Sequence, residues 1–354
     1  MRVNGRMQPL FDALHSDAEL SPDACAAAVA WLADPAADAA EKGRFLEAFK
    51  RRGETAGELA AFAQALIGLA VDPEILPAHV GGPMLDVCGT GGDKLELLNI
   101  STASMFVLAG GGAAVVKHGN RAVTSQCGGA DVLEELGVQI ALPPAQLREC
   151  VYRHGLGFVF APAYHPAFGV IGPVRRALAQ RGIPTIFNLL GPLLNPARPA
   201  HQLVGVYAGA LLPIYAEALR LLGRTRAWAV HGCGADELTL AGVAQVLEVD
   251  SRGVQALSVD PEQLGFAGAP VEALRGGDRV LNARLLEGIL AGAVVGAPLD
   301  AVLLNSAAGF VVAGLAGDLA EGVLRARASV SSGAAHSKLN ALRAFGAAWT
   351  PASL

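Results

Sequence analysis

Two glycine-rich turns, Asp86-Val-Cys-Gly-Thr-Gly-Gly-Asp93 and Lys117-His-Gly-Asn-Arg121, lie one supersecondary unit apart, with Asn99-Ile-Ser-Thr102 between them. Glycines at 89, 91 and 92 allow the backbone to turn sharply and present consecutive N–H groups to an anion. Asn99, Ser101 and Thr102 precede the apolar run Ala103 to Leu108. Their short polar side chains therefore fall at a helix start, where unpaired amides and the positive dipole end favour a negative ligand. Lys117 supplies a point charge, with Asn120 and Arg121 beside it. Singly, each motif has an ordinary reading as a tight turn, a helix cap or a solvated charged loop. Occurring in this order, each after an apolar strand-like run, they predict one polyphosphate site.

Such turns need strands to deliver them. Leu85 and Val87 read as a buried strand end before the first turn, and Ala113-Ala-Val-Val116 as the strand before the second. Short apolar runs at Val159-Phe160, Leu203 to Tyr207, Ala227 to Val230 and Gln245 to Val249 alternate with helical patterns, which is α/β sequence. Upstream of about Met84 the periodicity is helical. Ser21-Pro22 caps Ala26 to Leu32, Asp38 to Arg52 stops at Gly53, and Leu59 to Leu69 forms another apolar-faced helix. Residues 166–200 return to helical, proline-punctuated texture. Asp131-Val-Leu-Glu134 has the form of a helix start closed by Gly137, which assigns Asp131 to capping rather than chemistry. Ala301 to Ala316 is apolar but falls short of the roughly 20 residues of a bilayer crossing, and reads as a buried helix or helix pair.

At 354 residues and 52% hydrophobic content the chain can bury a large core, and two domains are expected. A formal charge of -5 and a pI near 5.9 give no global positive field to draw nucleic acid. The five cysteines, Cys25, Cys88, Cys127, Cys150 and Cys233, are dispersed with no C-x-x-C pair. That pattern predicts reduced thiols in a cytoplasmic protein rather than disulfides or a zinc site. Cys88 and Cys127 flank the glycine turns without an indicated base partner and read as small buried fillers. Met1 to Pro9 contains no apolar signal core and no membrane association is expected.

The stretch from Asp86 to Gly137 resembles the nucleoside phosphorylase-like phosphoribosyltransferases, and among them the anthranilate phosphoribosyltransferase family. The similarity continues through Phe160-Ala-Pro-Ala-Tyr-His-Pro166, Pro173-Val-Arg-Arg176, Thr185 to Leu193, Gln202-Leu-Val-Gly-Val206, His231-Gly232, Asp236-Glu237 and Asp300 to Asn305, and touches Arg52-Gly-Glu-Thr55. Nearly the whole chain is covered. The resemblance implies an α/β fold with a small all-helical domain, residues 1–80 joined by about 166–200. It sits beside a larger α/β domain, 81–165 and 201–354, with a central mixed sheet flanked by helices and the active site between the two.

It further implies transfer of the phosphoribosyl group from 5-phosphoribosyl 1-pyrophosphate (PRPP) to anthranilate in tryptophan biosynthesis, with Mg2+ as cofactor, by a homodimer. By the same resemblance the donor is held by Gly89, Gly92, Asp93, Asn99, Ile100, Ser101, Thr102, Lys117, His118, Gly119, Asn120, Arg121 and Ser125. Gly89, Asn120 and Arg175 hold the acceptor, with His118, Tyr164 and His165 near its channel. Ser101, Asp236 and Glu237 hold the metal, Asp93 lies close enough to assist, and no covalent nucleophile is involved. These residue types suit the chemistry. Displacing pyrophosphate builds positive charge on the sugar and negative charge on the leaving group, which amides, an ammonium and a hard divalent cation can stabilise. The acceptor is already a neutral amine, so positioning does much of the work, and a guanidinium grips a planar carboxylate through two parallel hydrogen bonds.

The chain departs from the family pattern at several positions. Lys94 stands for a glycine, Leu97 for a donor-contacting threonine, Leu98 for a phenylalanine and Gly129 for a phosphate-contacting serine. The stretch from Arg175 to Thr185 is longer than usual, and the turn before Asp236 is shorter by an aspartate. Each lost hydroxyl predicts a weaker donor contact, on the order of 1 kcal/mol, and Lys94 is expected to compensate. A paralogue with another aromatic acceptor, a pyrimidine nucleoside phosphorylase and a non-catalytic nucleic-acid-binding paralogue are the alternatives. The adjacent Asp236-Glu237 pair argues against phosphorolysis, and the acidic balance argues against nucleic acid.

Overall fold

The computed structural model describes residues 7–122 and 126–349. Seven strands, Met84–Gly89 (β1), Ala114–Gly119 (β2), Leu156–Phe160 (β3), His201–Gly205 (β4), Arg226–His231 (β5), Ala244–Asp250 (β6) and Gly253–Val259 (β7), form one sheet of order β3-β2-β1-β4-β5-β6-β7. Strands β1 to β5 are parallel, while β6 and β7 are added antiparallel. β1 and β2 are buried almost without interruption, as strands covered on both faces must be. β7 is a largely exposed edge strand whose weak alternation gives little strand signal, and the sequence reading does not include it.

Side chains of one strand feed two cores. Leu203, Trp228 and Val230 point into a cluster with the helices Ile100–Gly110, Ala297–Val312, Leu319–Ser331 and Ala334–Ala348. Val204, Ala227 and Ala229 join the other, with the helix Leu212–Leu221 and the helical layer built from Gln8–His15, Pro22–Ala33, Ala39–Arg52, Ala56–Gly68 and Ala167–Gln180. The apolar run beginning at Ala301 belongs to a single helix, Ala297–Val312, buried from Ala301 onward and apolar on all sides as a helix inside a core should be. No helix among the described residues is long and apolar enough to cross a membrane.

Helix starts follow the cap chemistry. Ser21, Asp38 and Thr55 accept the amides of Ala24, Glu41 and Glu58, and Gly53 closes its helix at a φ of 95°. The Arg52-Gly-Glu-Thr55 motif has a structural explanation. Arg52 pairs with the buried Glu58, which also accepts Leu20 N at 2.8 Å and Thr55 N at 3.1 Å, so one carboxylate joins two interhelical turns. Asp131 likewise accepts Ala122 N and Gly128 N, both at 2.9 Å. The five cysteines are free thiols, with only Cys233 exposed.

β1 connects onward through β2 to β3 on one side, whereas β4 and β5 lie on the other. Open α/β sheets bind ligands at such a reversal, beyond the carboxyl ends of the strands. Gly89 and Gly205 are the last paired residues of β1 and β4 at that crevice.

Candidate active site

The turn after β5, residues 231–237, lies across the two strand ends. A Cβ on Gly205 would collide with the carbonyl oxygen of Asp236, and one on Gly89 with its carboxylate. Two glycines are therefore what allows Asp236 to come down onto the sheet. Its Oδ2 accepts Gly91 N at 2.6 Å, and Glu237 Oε1 accepts Ser101 N at 3.2 Å. Lys117 Nζ, buried at the end of β2, donates to Ser101 Oγ at 3.2 Å and to the Val87 carbonyl. Ser101 thus joins the helix start, the ammonium and the carboxylate. Gly91 and Gly92 hold φ values of 65° and 89°, and the turn continues through Lys94 at 60° and Glu96 at 52°, left-handed positions that side chains adopt at a cost.

Burial raises the carboxyl pKa of Asp236, and the charge of Asp93 raises it further. Glu237 is raised by burial and by Asp236, with Lys117 pulling the other way. Both residues keep partial solvent contact at the crevice. Crowded hard-oxygen donors that resist ionising together are what a small divalent cation relieves, so this donor set fits Mg2+. No three His, Cys, Asp or Glu side chains among the described residues form a ready-made metal cage. Magnesium is commonly held by one or two carboxylates together with substrate phosphates, so a partial set is the expected form. An open groove of about 380 Å3 elsewhere, lined by Leu240, Val243, Asp260, Glu262 and Pro270, carries acids and no cation and does not suit a phosphate.

A row of packed rings runs from His118 in β2 towards the helical layer. His118 is 5.2 Å from His165, His165 5.6 Å from Phe168, and Phe168 5.7 Å from Phe187. Arg175 ends the row, its guanidinium 5.9 Å from the Phe168 ring centre and 5.3 Å from that of Phe187, with one long bond to the Phe187 carbonyl at 3.4 Å. Burial lowers its pKa, and no carboxylate among the described residues pairs with it. His118 Nδ1 lies 3.1 Å from the Gly191 carbonyl, which places the proton on Nδ1 and leaves Nε2 buried without a partner. Burial, reinforced by His165, holds His118 down to about 3.

Other predicted site residues are placed differently. Ile100 and Thr102 are buried in the helix start, and Asp93 accepts Leu95 N. Gly119 ends β2 beside the Phe158 ring. Asn120 is exposed and accepts Arg121 N at 2.8 Å. Arg121 turns its guanidinium onto Asp131 and Glu134 and over the Phe160 ring, so its charge is met within the protein. Tyr164 is buried and donates to the Leu142 carbonyl at 2.8 Å. Ser125 lies outside the described residues.

Several supporting residues escaped the sequence reading. Asp86 accepts His118 N at 3.1 Å and Asn195 Nδ2 at 3.0 Å, while Asn195 also donates to the Val116 carbonyl at 2.7 Å. Gln202 donates to the Pro192 carbonyl at 2.6 Å and accepts Arg224 Nε at 3.0 Å. This buried network fixes the 191–195 segment, and with it the carbonyl that sets the His118 tautomer. Asn305 accepts Leu238 N at 3.0 Å and returns a bond to the Leu238 carbonyl at 2.8 Å, anchoring the residue after Glu237. A lone carboxamide in an otherwise apolar helix was the available signal.

The profile of the glycosyl transferase family, a/b domain, matches residues 81–336. The anthranilate phosphoribosyltransferase of Roseiflexus sp. (strain RS-1) is 45% identical over 326 residues, covering 92% of this chain and 93% of the relative. That of Natronomonas pharaonis is 44% identical over 333 residues, covering 93% and 97%. Among solved structures, the anthranilate phosphoribosyltransferase of Thermus thermophilus superposes with a TM-score of 0.88 at 40% identity, covering 95% of this chain and 98% of that one. The Saccharomyces cerevisiae enzyme in complex with PRPP and Mg gives 0.87 at 26% identity, covering 98% and 99%. By the family profile over residues 81–336 and relatives 44–45% identical along almost its whole length, this chain belongs to the anthranilate phosphoribosyltransferase family.

Proposed function

We propose that this chain transfers the phosphoribosyl group of PRPP to the amine of anthranilate, giving N-(5-phosphoribosyl)anthranilate and pyrophosphate in tryptophan biosynthesis, with Mg2+ as cofactor. The observation that carries it is the meeting of Gly91, Ser101, Lys117, Asp236 and Glu237 at the β1/β4 crevice. The amine lone pair forms the new bond to the anomeric carbon as the bond to pyrophosphate breaks, and the amine gives up one proton.

Each residue has a role that its surroundings support. The Gly91 and Ser101 amides already meet anionic oxygens, the partner type a phosphate supplies. Lys117 has donated two of its three N–H groups to protein oxygens, and the third is oriented by them. Ser101, Asp236 and Glu237 would hold Mg2+, which when bound neutralises charge gathering on the leaving group. Arg175, stacked and lacking a carboxylate of its own, takes that of anthranilate. His118 is buried and held in its neutral form beside the site. So weak a base does not store the proton, which leaves to pyrophosphate or solvent.

Arg175 belongs to the helix Ala167–Gln180 and the phosphate groups to the sheet, which supports reading 1–80 with 166–200 as a helical domain and 81–165 with 201–354 as its α/β partner. A cytoplasmic homodimer completes the reading. Five free thiols support the compartment, the family resemblance supports the dimer, and sedimentation analysis tests the latter. The decisive experiment mixes purified protein, Mg2+, PRPP and anthranilate and follows the loss of anthranilate fluorescence. Loss that requires all four components is expected; phosphorolysis of thymidine or uridine without that loss would overturn the assignment.

A further inference from the structure

The segment from Leu274 to Asn282 belongs to none of the phosphate motifs, yet it is bonded to the loops that carry them. Leu98 N donates to the Leu274 carbonyl and Gly276 N to the Glu96 carbonyl, both at 2.9 Å, and Leu97 is bridged to Arg275. Asn282, buried in the first turns of the helix Arg279–Leu290, completes the attachment. Its Oδ1 accepts Gly277 N at 2.8 Å, its Nδ2 donates to Asn99 Oδ1 at 3.0 Å, and Asn99 Nδ2 donates to the Cys127 carbonyl at 3.1 Å.

The relay has one direction. Gly277 can only donate and the Cys127 carbonyl can only accept, so flipping either carboxamide would set like groups against each other. Asn99 stands two residues before Ser101, and Cys127 follows the turn that begins at Lys117. The half-buried Asn99 therefore ties the segment before Ser101 to Cys127, and the buried Asn282 fixes the orientation of its carboxamide. The approach is close, because a Cβ on Gly276 would collide with Asn282 Oδ1 and come within 3.0 Å of Leu98 Cα.

We propose that Asn282 is a positioning residue for the phosphoribosyl donor, orienting the Asn99 carboxamide that joins the Ser101 helix start to the segment after the Lys117 turn. This rests on the donor site assigned above. Asn282→Asp keeps the acceptor for Gly277 N and the helix start but removes the donation to Asn99. It is expected to raise the KM for PRPP about ten-fold, which corresponds to roughly one buried hydrogen bond, while the KM for anthranilate changes by no more than about two-fold. Its melting temperature should stay close to that of the wild type. The Asn99→Ala, Asn282→Asp double variant should fall short of the summed effects of the two single variants, because the bond between the two residues is lost only once.

An unchanged PRPP KM in Asn282→Asp, a parallel rise in both KM values, or fully additive effects in the double variant would overturn the positioning role while leaving the enzyme assignment intact. A wild-type protein that forms no product from PRPP and anthranilate would remove the donor-site reading and this inference together.

Discussion

Gly205→Ala tests the architecture of the site at a position that touches neither substrate. The new Cβ would have to sit about 2 Å farther from the Asp236 carbonyl oxygen to reach ordinary van der Waals contact. Gly205 is hydrogen-bonded in the sheet between β1 and β5, so the 231–237 turn yields instead. A shift of that size breaks the 2.6 Å bond from Gly91 N to Asp236 Oδ2 and draws Glu237 away from Ser101 N. Overpacking costs about 1–3 kcal/mol and the lost charge-assisted bond about 1.5–3 kcal/mol, so a net destabilisation of about 2.5–6 kcal/mol is expected. At about 2 °C per kcal/mol for a chain of this size, the melting temperature falls by about 5–12 °C. Because the displaced residues are the proposed metal carboxylates, the Mg2+ concentration giving half-maximal turnover should rise about 10- to 100-fold. Thermal melts and Mg2+ titrations of initial rate read both effects. Gly68→Ala is the control: Gly68 is exposed, with no atom near an added methyl, so its effect should stay within about 0.5 kcal/mol. A Gly205→Ala protein that melts with the wild type and needs no extra Mg2+ would refute the packing argument.

Glu237→Gln should make the metal-free protein more stable and a poorer catalyst, by about 100-fold in kcat, because it removes a carboxylate that burial and Asp236 hold in an unfavourable state. The sign follows from a folded pKa above the unfolded one: stability of the metal-free wild type falls as pH rises from the ordinary carboxylate range through the raised value. The Gln variant should lose the Glu237 share of that slope in pH-dependent melts and keep the share that burial and Asp93 impose on Asp236; an unchanged slope would contradict the assignment. Arg175→Lys should raise the KM for anthranilate about 10- to 100-fold and leave that for PRPP nearly unchanged, since an ammonium reproduces neither the fork nor the stacking on Phe168 and Phe187; steady-state kinetics with each substrate varied would expose an equal effect on both. Lys94→Ala should weaken PRPP binding several-fold if the exposed ammonium replaces the hydroxyls missing at 97 and 129, and wild-type affinity by calorimetry would dismiss that compensation.

What could be read from the chain was local. The glycines of the first turn, the Asn99 to Thr102 helix start, Lys117 at the end of an apolar run and the caps at Ser21, Gly53 and Asp131 each declare themselves within a few residues, because turn and cap chemistry act at that range. Arg121 shows the limit of the same logic. Its place near Lys117 suggests a phosphate contact, and what the sequence does not show is that the helix Asp131 caps brings Glu134 to the same guanidinium. β7 escaped because an exposed edge strand has no buried face to impose a period.

The parts that escaped share a different cause. Asp236 meets Gly91 across 145 residues and Asn282 meets Asn99 across 183, so no window of sequence contains both partners. In sequence Gly205 is one of 43 glycines; its importance comes from the turn after β5 folding back over β4, which only the order of strands in the sheet decides. The same holds for Asp86 and Asn195, polar residues that look misplaced in apolar runs until the 191–195 segment is seen against the ends of β1 and β2. Motifs thus name the groups that can touch substrate, whereas their spacing depends on glycines and buried carboxamides that touch only other protein atoms. Lys94, Leu97 and Gly129, where the family pattern has other residues, lie outside the Asn282–Asn99–Cys127 relay, so the proposed donor contacts can differ while that relay stays intact.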